Sequence, residues 1–335
     1  MTGSLTPEQV DFFDREGYLV LRGVLDKQQV LDPISTEYSG VLDRLANELH
    51  AQGEIASAYG ELPFSDRLTR IYAETGTDYS QHFDFTLPQS ATKADTPFWT
   101  GPAVFALLRN EAILDAVESL IGPEIYANPV QHVRLKPPEH LLRKSLETGQ
   151  EPNNATPWHQ DNGVITSDAD ETDMITVWLP LTNATVENGC LVVQPRSHRD
   201  GLLPHCPSDA PATNRNGGSL GLHIPDTFLA PEEQEVDMEM DAGDILLMHR
   251  RTPHASHRNR SDHVRWSFDL RYNPPGQPSG RSAFPGFVAR SAKEPWTELR
   301  DPLAWTDMWL EARAKVSGAP MPAFNRWDRS AVTCA

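Results

Sequence analysis

The chain has 335 residues, 39% of them hydrophobic, which is enough for a substantial core in one large domain or two. Forty-seven acidic residues against 29 Lys and Arg give a formal net charge of −18. That balance excludes nucleic acid, whose phosphates need a basic footprint, and equally an anionic membrane surface. No stretch reaches the roughly 18 apolar residues of a membrane span, and Met1-Thr2-Gly3-Ser4-Leu5 lacks the basic and apolar runs of a signal peptide, so a cytoplasmic location is expected.

Thr6-Pro7-Glu8-Gln9 reads as a capping box with proline in the first turn, opening a helix that carries Val10 and Phe13 on one face. Gly17 to Arg22 then reads as a strand and Asp26 to Leu49 as mainly helix. From His50 to Thr100 the pattern is irregular and too long for a plain connector, so a part-helical insertion or lid is expected. Ala103 to Ile121 reads as a helix closed by Gly122-Pro123. Ile125 to Lys136 reads as a strand stopped by Pro137-Pro138, and the polar segment Glu139 to Ala155 as a loop. Met174–Leu181, Gly189–Gln194, Glu235–Met240, Ile245–His249 and His263–Tyr272 carry strand patterns, separated by the loop-rich Asp200–Ala230 and the turn Asp241-Ala242-Gly243-Asp244. Trp296 to Arg313 reads as a helical tail. Many short strands after a helical start predict an antiparallel double-sheet jelly roll, mainly β with flanking helices, in one domain whose core spans about residues 125–275. Cys190, Cys206 and Cys334 are sparse and unpaired by any Cys-x-x-Cys spacing, which predicts reduced thiols.

His159 and Asp161, in Pro157-Trp158-His159-Gln160-Asp161-Asn162-Gly163, stand two apart, and alternate side chains of a strand point to one side. With a downstream histidine they form the ligand set of the two-His-one-carboxylate facial triad, which holds Fe(II) and leaves positions open. His254 is followed by Ser256 two residues on and Arg265 eleven residues on. His249, His257, His263 and His198 lack those companions. An arginine fork suits a carboxylate, which it can grip in bidentate fashion.

In these spans, Trp158–Asp161 and Gly243–Tyr272, the chain resembles the phytanoyl-CoA dioxygenase (PhyH-like) family of Fe(II)/2-oxoglutarate-dependent oxygenases. Weaker matches run from Leu5-Thr6-Pro7-Glu8-Gln9 to Phe284-Pro285-Gly286-Phe287. The resemblance implies a jelly-roll core, iron on His159, Asp161 and His254, and 2-oxoglutarate held through its far carboxylate by Arg265 and Ser256. Trp178 stands near a tryptophan that the family places beside the iron, and equally fits a core position. On the strand before Lys136, either Gln131 or the pair His132 and Arg134 faces the site. The Lys136-Pro137-Pro138 ending, shared with the family, favours His132 and Arg134. Asn162 is a further candidate substrate contact. Family members carry glycine before the Ser-His of Ser197-His198, where this chain has Arg196, which puts the shape of that loop in question.

The expected function is hydroxylation of a small organic metabolite with O2 as cosubstrate and release of succinate and CO2, by a monomer or homodimer. Halogenating relatives replace the metal carboxylate with Gly or Ala; this chain keeps Asp161. The alternatives are an inactive ligand-binding barrel and a zinc hydrolase on the same ligand set.

Overall fold

A computed structural model describes residues 3–88, 91–142, 154–207, 221–317, 326–327 and 334. Helix α1 (Pro7–Glu16) leads into strand β1 (Tyr18–Leu21). A single π-type turn, Lys27–Leu31, runs on into α2 (Asp32–Ala51), followed by α3 (Phe64–Thr75), α4 (Pro102–Leu108) and α5 (Glu111–Ile121). The strands are β2 (Glu124–Ala127), β3 (His132–Lys136), β4 (Thr156–His159), β5 (Ile175–Pro180), β6 (Leu191–Val193), β7 (Cys206–Pro207), β8 (Leu222–His223), β9 (Val236–Met238), β10 (Ile245–His249), β11 (His254–Ser256), β12 (Arg265–Asn273) and β13 (Phe287–Ser291). Helix α6 (Pro302–Ser317) follows.

The predicted capping box forms: Thr6 Oγ1 accepts from the Gln9 amide at 3.3 Å and the Thr6 amide donates to Gln9 Oε1 at 2.9 Å. Gly17 ends α1 at φ +81°, a left-handed conformation that glycine adopts without steric cost. Two expected elements are each broken in two, for local reasons. Asn110 caps a new helix by accepting from the amides of Ala112 and Ile113, so Ala103–Ile121 is α4 and α5 rather than one helix. Pro129 has no amide to donate, so the Ile125–Lys136 strand becomes β2 and β3, with the Asn128 side chain filling the gap by bonding Val130 and Asn273. Strand β13 was not anticipated.

Two antiparallel sheets make the core. One runs β1-β10-β5-β12-β2-β13, with β3 also paired to β12; the other runs β4-β11-β6-β9. Period-two alternation gives the large sheet two different faces. Ile175, Val177 and Leu179 of β5, Ile245 and Leu247 of β10, and Trp266, Phe268, Leu270 and Tyr272 of β12 pack in one cluster with buried residues of α2 to α6. Trp178, Leu246 and Met248 point the other way, into a smaller cluster with Leu191, Val193 and Met238 of the second sheet. The interior between the sheets is thus where β12 sends its charged residues, as its sequence alternation predicts. Trp305 and Trp309 of α6 are buried, and Trp305 packs 5.5 Å from Phe105 of α4.

The cysteines correct the expectation of reduced thiols. Cys206 and Cys334 form a disulfide, with Cα atoms 5.2 Å apart although 128 residues separate them in sequence. No local motif marks such a pair, because the fold and not the spacing brings them together. Cys190 is free and buried, as expected.

Candidate active site

The metal ligands come from neighbouring strands of the small sheet. In the β4–β11 pairing His159 lies directly opposite His254, so two residues 95 apart in sequence share one rung. Their rings sit 4.1 Å apart. Asp161 follows β4 in a short 3-10 turn, Asp161–Val164, which swings its carboxylate back towards both rings. The three side chains offer ligand atoms all within 4.8 Å of one another, and all three residues are buried.

Each imidazole is fixed in one orientation. His159 Nδ1 faces the carbonyl of Pro157 at 2.9 Å and His254 Nδ1 faces that of Thr252 at 3.0 Å. A carbonyl only accepts, so both Nδ1 atoms carry the proton and both Nε2 lone pairs are free for a metal. Burial, helped by the neighbouring His254, pushes the His159 pKa well below its usual value, so the ring is neutral. Burial also works against an ionised Asp161, but Arg271 outweighs it and holds the carboxyl well below the usual carboxylate range. Arg271 donates to one Asp161 oxygen and Thr176 to the other. Two oriented imidazoles and one oriented carboxylate fit a divalent transition metal.

The two histidine ligands open onto a cavity that is lined also by Trp178, Arg265, Arg271, His132, Arg134 and Arg281. Arg265 is 2% exposed and lies over the Trp178 ring at 5.6 Å. Burial lowers it to about 10, so it is charged at neutral pH. Ser256 Oγ accepts from Lys136 Nζ at 2.6 Å and from the Thr156 amide at 2.8 Å. Burial, and then Arg265, push Lys136 well below its ordinary value. A second basic side chain therefore stands beside the predicted pair Arg265 and Ser256. The sequence signal for it was Lys136-Pro137-Pro138, used there only to set strand parity.

His132 and Arg134 both line the cavity, as the parity argument favoured. His132 bonds Asp84 at 2.9 Å and Arg134 bonds Asp269 at 3.2 Å. Gln131 does not join them. Its amide donates to the Asn128 carbonyl, and the residue lines a separate small cavity with Phe85 and Trp305. Asn162 is buried outside the cavity wall, tied to Asp170 by its side chain and to Arg250 by its amide. Of the long insertion, Gln81, Asp84, Leu87 and Pro88 reach the cavity, while α3 is a packed helix with Leu68 and Ile71 fully buried. Of the two polar loops expected at Glu139–Ala155 and Asp200–Ala230, residues 143–153 and 208–220 lie outside the described residues.

The rival histidines are otherwise engaged. His249 Nδ1 accepts from the Arg251 amide, and His198 faces the carbonyl of Asp14. Arg196 adopts φ +70°, the conformation for which the family's glycine is suited. A paired contact to Glu16, at 2.9 and 3.2 Å, holds it there. Gly163 permits a close approach: a Cβ there would lie 2.1 Å from the His205 ring. That ring accepts from the Gln160 amide at 2.9 Å and stacks on Trp327, whose indole donates to the Gly163 carbonyl.

Curated relatives span nearly the whole chain. The 1-deoxypentalenic acid 11-beta-hydroxylase of Streptomyces arenae is 26% identical over 93% of this chain and 92% of its own length. The phytanoyl-CoA dioxygenase of Arabidopsis thaliana is 22% identical over 81% of this chain and 89% of its own. Among solved structures the non-heme monooxygenase ThoJ shares the fold, with a TM-score of 0.54 at 20% identity over 92% of this chain and 97% of that one. The sequence profile of the phytanoyl-CoA dioxygenase (PhyH) family matches residues 13–267, from α1 through both histidine ligands to the middle of β12. The chain belongs to that family, whose chemistry is 2-oxoglutarate-dependent oxidation at non-haem iron.

Proposed function

We propose that the protein hydroxylates a small organic molecule, using Fe(II) on His159, Asp161 and His254 with 2-oxoglutarate and O2 as cosubstrates. The observation that carries this is the buried His-Asp-His cluster opening onto a cavity whose wall also holds Arg265. When bound, iron and 2-oxoglutarate supply the oxidation, with loss of CO2, formation of succinate and insertion of oxygen into a substrate C–H bond.

The protein's part is to bind, orient and exclude water. Thr176 and Arg271 fix both oxygens of Asp161, so the carboxylate cannot rotate away from the ligand position. Arg265 and Ser256 receive the far carboxylate of 2-oxoglutarate, with Lys136 as a third contact through the Ser256 hydroxyl. Trp178 walls the cosubstrate site beneath Arg265. Retention of Asp161 favours hydroxylation over halogenation. A cytoplasmic location belongs to the same proposal; among the described residues no helix is long and apolar enough to cross a membrane.

Mixing the protein with Fe(II) and 2-oxoglutarate without oxygen should produce a visible metal-to-ligand charge-transfer band, and admitting O2 should release succinate. No band with Fe(II), together with hydrolytic turnover on Zn²⁺, would point instead to a zinc hydrolase. Binding without turnover would mark an inactive barrel.

A further inference from the structure

The turn that carries Asp161 is gripped by side chains from distant parts of the sequence. On one side of the ligand the Gln160 amide donates to His205 Nε2 at 2.9 Å, and His205 Nδ1 donates to the Leu203 carbonyl at 2.8 Å. On the other side Arg326 Nη2 donates to the Asn162 carbonyl at 2.8 Å and Trp327 Nε1 to that of Gly163 at 2.7 Å. A single 3-10 turn leaves its carbonyls short of partners of its own, so these two donors complete it. Arg326 also pairs with Asp170 and lies over the Trp327 ring at 5.2 Å. Trp327 in turn stacks on His205, with ring centroids 5.3 Å apart.

The Cys206–Cys334 bond closes around this stack. Cys206 follows His205 directly, and Cys334 comes seven residues after Trp327. With the bond in place, Arg326 and Trp327 are tethered close to His205 from one side and carried by the chain beyond α6 on the other. A short tether keeps the effective concentration of a contact high, and cutting it lets the contact open more often. Resting on the proposed function, we propose that Arg326 and Trp327 are positioning residues for the metal ligand Asp161 and that the Cys206–Cys334 bond latches them, so that reduction by a dithiol weakens Fe(II) binding. In that step two electrons and two protons from the dithiol break the S–S bond and leave two thiols, while the reductant closes into its own disulfide. The proposed cytoplasmic location gives such a bond a sensing role rather than a permanent one.

The intact chain is compared as the disulfide and as the dithiol form made with dithiothreitol, the reductant being removed before anaerobic titration with Fe(II) and 2-oxoglutarate. Reduction should weaken Fe(II) binding about 10-fold, the lower end of what losing an outer partner of a metal ligand costs. In the metal-free protein it should also speed amide hydrogen exchange over residues 160–164, a readout independent of iron. Cys334→Ser should reproduce both effects. Trp327→Phe keeps a ring on His205 but loses the donor to Gly163, so the effect of reduction should shrink. With Arg326→Gln and Trp327→Ala combined, reduction should move neither reading, because the latch has nothing left to hold. A cross-link that only stabilises the fold would keep its effect there. The inference is overturned if reduction leaves either reading unchanged, or if its effect persists undiminished in the double variant. Should the double variant not fold, Trp327→Phe decides in its place. Absence of Fe(II) binding to the disulfide form would count against the iron reading itself, and the exchange comparison would then decide the latch alone.

Discussion

Replacing His159 or Asp161 by Ala should abolish Fe(II) binding in an anaerobic titration while leaving the circular dichroism spectrum close to that of the parent. Both side chains stand at the metal cluster, and a two-ligand site holds Fe(II) weakly. Near-normal iron retention in either variant would refute the assignment. Arg265→Ala should leave iron binding nearly intact and raise the KM for 2-oxoglutarate about 30- to 1,000-fold, the equivalent of roughly 2–4 kcal/mol for a lost bidentate carboxylate contact. Lys at this position should rescue only part of the loss, because its point charge lacks the fork. An unchanged KM would remove Arg265 from the cosubstrate site. At this scale the sequence was most legible where spacing itself encodes geometry. His159-x-Asp161 and His254 with Ser256 and Arg265 needed only strand periodicity to be placed. Asp84 and Arg281 carried no such code: one lies on an irregular insertion and the other on a loop, and only the fold brings them to the cavity.

Element boundaries were readable where an apolar run is unbroken, as in Ile245–His249, and misread where one residue overrides the pattern, as Asn110 does in a helix and Pro129 in a strand. The segment around β4 shows a different limit. His205, Trp327 and Gly163 interlock beside the turn that carries Asp161, and the Cys206–Cys334 disulfide lies next to that contact in sequence. Cys206→Ser should therefore cost about 2–4 kcal/mol, as expected for a cross-link closing a long loop. Thermal unfolding should fall by several degrees, and reduction of the parent protein should reproduce the fall. A parent unaffected by reductant would show that the bond contributes nothing to stability. Gly163→Ala should be worse for activity than for folding, since the added methyl meets the His205 ring and displaces the turn of Asp161.

At the scale of the molecule, acid should be more damaging than the metal chemistry alone requires. Burial holds His205 at about 4 and His249 at about 3 in the fold. In the unfolded chain such groups titrate near 6.5. Between pH ~6.5 and ~4 the unfolded state binds more protons, so stability rises with pH across that window and is lost on acidification. Denaturant midpoints at pH 7.5 and 5 should differ in that direction, and His249→Gln should shrink the difference. An unchanged difference in the variant would clear His249 of the effect. The overall architecture was legible because an antiparallel sheet with one face on helices and one on a polar interior writes two different alternations into the same strands. The disulfide was not, because it joins residues that share no local pattern.

The bond between Arg271 and Asp161 has a consequence for how the metal arrives. Most sites must shed protons before they can coordinate, so that acidity competes with the ion. Here the carboxylate is already an anion with its counter-charge built in, and His159 is already a neutral donor. Loading should then be proton-silent at these two ligands. Any acid released into a weakly buffered solution as Fe(II) binds at neutral pH should then come from neither of these two ligands.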